Sequence, residues 1–145
     1  MIKQFEKLTA EERNLVYKAP VLVSLLASCS FNEVNKFKKA DAIKLSHLKT
    51  FTATPLLRPY YAEVEKHFKE QFEAGIKQYF PFDEAKRNDI KKDIEKVNFA
   101  IGKLDKEFGL ILHNSLKGYA KHVNKATHSV FQDFIFPIPI RGLTD

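Results

Sequence analysis

The chain is poor in several things that particular functions need. Its single cysteine, Cys29, forbids an internal disulfide. Cys29 sits at the end of an apolar stretch, which fits a small buried side chain in a reducing compartment better than a reactive thiol. The longest apolar run, 19–27, is nine residues, whereas about 20 are needed to span a bilayer. It also begins behind acidic residues, too far into the chain for a signal peptide. Arginine is scarce, with four against twenty lysines, and base reading and bidentate phosphate grips lean on arginine. There is no Gly-x-Ser-x-Gly elbow, no helix-turn-helix signature, no glycine-rich phosphate loop and no aromatic platform. These absences argue against a membrane span, a serine hydrolase of the elbow type and sequence-specific DNA reading.

What is present is amphipathic helix. At 145 residues the expectation is one domain, 1–145, able to bury roughly 70% of its unfolded surface without a staple, in the cytoplasm. Of the net charge of +6, five lysines against Glu33 and Asp41 in 33–51 and four against Glu107 in 106–125 each contribute +3, so two segments hold the whole excess. Thr9 followed by Glu12 has capping-box spacing, and predicts a helix over 10–27 with a kink or break at Pro20. Ser30 and Glu33 repeat that spacing ahead of a helix to about 51. A third helix, after Pro55 and to about 78, places Tyr61, Val64, Phe68, Phe72, Ile76 and Tyr79 on one stripe. Asp83 caps a fourth, with Ile90, Ile94, Val97, Ile101 and Leu104 inward. A break near 104–105 follows from Gly102 and the new cap Asp105. A fifth helix to about 125 carries Phe108, Leu112, Ser115, Tyr119 and Val123 inward. The fold class is all-α, a single-domain bundle of about five to six helices with an extended apolar C-terminal tail. In that tail Phe131, Phe134 and Phe136 precede Pro137 and Pro139, and it closes the protein's own core or a partner's.

The opening Leu8-Thr9-Ala10-Glu11-Glu12-Arg13, the apolar helix ending at Ala27, the stretch Leu104-Asp105-Lys106-Glu107-Phe108 and the segment 119–127 together resemble the TerB-like (tellurite-resistance-associated) family of small helical proteins. The resemblance implies a helical fold and an association with stress responses, with no established reaction. In that family each helix continues into an Ala-Asp-Gly turn, with a glutamate several residues on, and these acids are thought to hold a divalent cation. Here the corresponding positions read Ser28-Cys29 and Asn35, and Thr127-His128. Hard cations need several oxygen ligands, mostly carboxylates, so the resemblance implies a member whose metal loops are lost. No cofactor is expected.

Four constellations carry candidate chemistry. Glu63, His67 and Glu70 share a helix face, but opposite the apolar stripe, which reads as a surface ion-pair row rather than a metal set. Asp41 falls inside the apolar stripe of 30–51 with Lys38 and Lys44 one turn to either side. It is either a buried functional carboxylate or an acid paired at the stripe edge. Ser115, Tyr119 and His122 cluster inward on the fifth helix, as a nucleophile-acid-base trio or a hydrogen-bonded core patch. Lys117, Lys121 and Lys125 form a row at steps of four, extended backwards by His113, which fits an anionic partner or a solvated face.

The function these readings favour is a non-enzymatic module acting by protein or self-association. The alternatives are a weak nucleic-acid or anion binder working through the lysine-rich helices, and a small-ligand protein or enzyme with a pocket near Asp41 or His122.

Overall fold

The computed structural model describes residues 3–28, 54–79 and 83–127, with side chains through residue 26 in the first span and residue 121 in the last. The helix expected over 30–51 with Asp41 and the apolar tail lie outside the described residues, as do the side chains of His122 and Lys125. Within them the protein is all-helical. Four α-helices are described, α1 (Ala10–Ser28), α2 (Arg58–Tyr79), α3 (Glu84–Ile101) and α4 (Lys106–Thr127). The 3₁₀ turns Lys3–Phe5 and Pro55–Leu57 lead into α1 and α2.

Local sequence fixes where these helices start. Thr9 and Glu12 form the reciprocal box: the Thr9 hydroxyl accepts from the Glu12 amide at 3.1 Å and the Glu12 carboxylate accepts from the Thr9 amide at 2.9 Å. Asp83 accepts from the Lys86 amide at 2.8 Å, and Asp105 from the Phe108 amide at 3.3 Å. Each cap satisfies a donor that the first helical turn leaves without a partner. Between α3 and α4 the chain needs only the turn 102–104, in which the Leu104 amide donates to Ile101 at 3.0 Å.

The apolar run beginning at Ala19 makes α1 the central element. Residues 21–26 are all buried, because α1 packs against α2, α3 and α4 together, and a helix apolar on every side is stable only when surrounded. Pro20 does not break it: α1 is continuous from Ala10 to Ser28. The other helices each present one stripe. On α2 it is Tyr61, Val64, Phe68, Phe72 and Tyr79, with Tyr60 beside it. On α3 it is Ile90, Ile94, Val97 and Ile101, and on α4 Phe108, Leu112, Leu116 and Tyr119. Phe5 anchors the N-terminal turn, its ring edge-on to Tyr17 at 5.1 Å, Phe108 at 5.9 Å and Tyr60 at 6.2 Å. Among the described residues no helix is long and apolar enough to cross a membrane.

Candidate functional site

Polar groups enter this core in pairs that bridge helices. The Ser115 hydroxyl on α4 meets the Tyr61 hydroxyl on α2 at 2.5 Å. The Tyr119 hydroxyl, also on α4, meets Ser24 of α1 at 3.1 Å, and Ser24 donates to the Pro20 carbonyl at 2.9 Å. Ser115 and Tyr119 therefore face different partners, each on another helix. Burial in a low-dielectric core raises the phenols: Tyr61 is pushed up to about 12, and Tyr60 and Tyr119 are also raised, with burial the leading cause. All three stay protonated at neutral pH and serve as hydrogen-bonding groups.

The lysine row is shorter than its spacing suggests. Lys117 and Lys121 are exposed on α4, but His113 is buried, with only 3% of its surface accessible. Four residues turn a helix by about 40° past one full revolution, so a row at steps of four drifts around the axis. Its first member falls beside Ala120, inside the buried arc. Burial and the nearby Lys117 ammonium both lower the His113 pKa below the usual histidine value.

Glu63, His67 and Lys66 lie on the outer face of α2, with Glu63 oxygens 3.3 Å from His67 and 3.4 Å from Lys66, and both partners more than half exposed. No group of three metal-ligating side chains occurs among the described residues.

A more distinctive arrangement sits where the start of α1 meets the end of α3. Lys103, in the turn after α3, places its ammonium 2.6 Å from the Glu12 carboxylate and 4.9 Å from the centre of the Phe99 ring. Glu12 is thereby shared between the Thr9 cap and Lys103. The Lys103 hydrogen bond, followed by the Thr9 amide, holds its carboxyl below the usual range. Phe99 is 69% exposed. It flanks a groove of about 450 Å³ between α1 and α3, in which Leu15 supplies a second apolar surface and Glu11, Lys92, Glu95 and Lys96 the charged walls. The sequence does signal this site: Phe99 is the one phenylalanine of α3, and it stands out of phase with the Ile90, Ile94, Val97, Ile101 stripe. The Lys103–Glu12 ion pair beside it joins distant parts of the chain and depends on the tertiary fold.

Compared with protein-family models, with curated proteins and with solved structures, the chain finds no match.

Proposed function

We propose that this protein is a non-enzymatic helical module that acts by associating with another protein, and that the α1/α3 groove around Phe99 makes the contact. The observation that carries the reading is a large aromatic ring left 69% exposed, in one groove with a half-buried leucine and the charged side chains of Glu11, Lys92, Glu95 and Lys96. An apolar centre with a charged rim is the anatomy of a protein interface, and covering Phe99 would contribute roughly 1.5 to 3 kcal/mol. The resemblance to TerB-like proteins is consistent with such a role in a stress response. Supporting it further, the Ser115 and Tyr119 hydroxyls are already engaged across helices, which favours the core-patch reading of that trio over the catalytic one.

The test is a photo-crosslinking amino acid at position 99, compared with the same probe at the exposed position 118, in lysate of the source cells. A discrete protein adduct specific to position 99, and lost on Leu15→Lys, is the expected result. Identical patterns at both positions would dismiss the groove as an interface. Size-exclusion chromatography with light scattering over a concentration series separates self-association from a foreign partner.

A further inference from the structure

A second groove, on the other side of α1, has a different character. It is an open groove of about 700 Å³ between the N-terminal 3₁₀ turn, α1 and α2, a size within the range of small-molecule sites. Three cations line it, Lys3, Arg13 and Lys66, one from each element, together with the amide side chains of Gln4 and Asn14. The one acid on its wall, Glu63, is engaged by Lys66 and His67.

Arg13 is the informative member. Its Nη1 donates to the Leu8 carbonyl at 3.2 Å, so the guanidinium is held in place by backbone. Among the described residues no carboxylate pairs with it. A guanidinium has five N–H donors in a fixed fork that suits carboxylate and phosphate oxygens. Anchored on one side and half-buried, Arg13 has lost little of its fork to protein contacts and has little freedom left to lose on binding. The groove also has an apolar wall. Tyr17 is half-buried at its edge and stacks on Tyr60 with ring centres 5.6 Å apart and planes 15° from parallel, which fixes its orientation, and Pro59 and Ala62 lie beside it.

We infer that this groove binds a small organic oxyanion, a phosphorylated or carboxylated molecule with a flat apolar part. Its anionic group is gripped by Arg13 and Lys3, with Lys66 shared between it and Glu63, and its flat part lies along Tyr17 and Pro59. The volume exceeds what an inorganic anion fills, and convergence of cations from three elements distinguishes it from the lysine row of α4, which comes from one helix face.

The experiment is an amide chemical-shift titration of the full chain with adenosine 5′-monophosphate, and separately with inorganic phosphate, at physiological ionic strength. There the screening length is about 8 Å, and scattered lysines attract weakly. Saturable shifts confined to residues 3–5, 13–17 and 59–66 are expected, with the nucleotide binding more tightly than phosphate. Arg13→Gln should weaken nucleotide binding about tenfold or more, while Lys121→Gln leaves it unchanged. If Arg13→Gln fails to fold, the double variant Lys3→Gln/Lys66→Gln replaces it and should show the same loss. The inference is overturned if neither probe saturates the groove by about 10 mM, if shifts follow Lys117 and Lys121 instead, or if the groove variants bind as wild type. Binding to phosphatidylserine vesicles without response to either soluble probe would likewise overturn it, by assigning the cations to a lipid surface.

Discussion

The hydroxyl of Tyr60 donates to the carbonyl oxygen of Val16 at 2.7 Å, and Val16 is the residue that Pro20 deprives of a helical donor. In an α-helix the amide of residue 20 would bond the carbonyl of residue 16, and proline has no amide hydrogen. The phenol of α2 stands in for the missing donor. One turn on, the Pro20 carbonyl accepts from Ser24, which also meets Tyr119 of α4. A proline that would weaken an isolated helix thus becomes the point where α1 is bonded sideways to α2 and α4, which compensates for the donor it lacks.

Tyr60→Phe keeps the ring packing and removes the donor, leaving a buried carbonyl short of a partner, so it should cost about 1 to 3 kcal/mol in urea unfolding. In a Pro20→Ala background the helical amide is restored, and the same substitution should cost measurably less. Equal costs in the two backgrounds would show that Tyr60 does not replace the lost donor.

Gly75 of α2 and Gly118 of α4 should respond in opposite directions to alanine. A Cβ at Gly75 would lie 2.5 Å from Leu25 Cδ1 and 3.1 Å from Cδ2, and Leu25 is fully buried in α1, so it has little room to yield. Gly75→Ala should destabilise by about 1 to 3 kcal/mol. At Gly118 a Cβ would meet nothing within 4 Å, so alanine there adds helix propensity alone and should stabilise by up to about 1 kcal/mol. Thermal midpoints of the two variants check both signs.

These contacts also mark what the sequence could and could not reveal. The caps at Thr9, Asp83 and Asp105 act over three residues, and the stripes of α2 and α3 repeat every three or four, so both are written in local order. The inward positions of Ser115 and Tyr119 were legible from the same periodicity. Their partners were not, because Tyr61 and Ser24 stand 54 and 95 residues away and periodicity says nothing about which helix a face meets. His113 was misplaced for a geometric reason, the drift of a four-residue step. Arg13 reads in sequence as one more charge in a helix start, and only the fold gathers it with Lys3 and Lys66.

Removing divalent metal should leave the fold intact. The positions that would carry the acids of a TerB-like cation site read Ser28-Cys29, Asn35 and Thr127-His128, and hydroxyls with one amide do not neutralise a hard cation. A chelator should leave the thermal midpoint unchanged. A fall of several degrees would establish a bound metal and undo the proposal that the site is degenerate.

Acid should weaken the fold in two stages, and alkali in one. His113 is held below the usual histidine value of 6.5, chiefly by burial and then by Lys117, so the unfolded chain takes up its proton first as pH falls. The stabilisation that comes from keeping this ring neutral is complete above about 6.5 and is lost as pH drops through the lower folded value. Glu12 follows the same sign one stage lower. Its carboxyl is held below 4.5 by the Lys103 and Thr9 hydrogen bonds, and that contribution fades as pH falls further. At the other end Tyr61, raised from 10.0 to about 12 by burial, favours the fold below pH 10 and ceases to do so as pH climbs through 12. Urea midpoints measured across this range should therefore plateau between about pH 7 and 10. His113→Phe should flatten the first acidic slope, and Lys103→Met the second, each without altering the other. If His113→Phe retains the wild-type slope below pH 6.5, the first stage belongs to a different group.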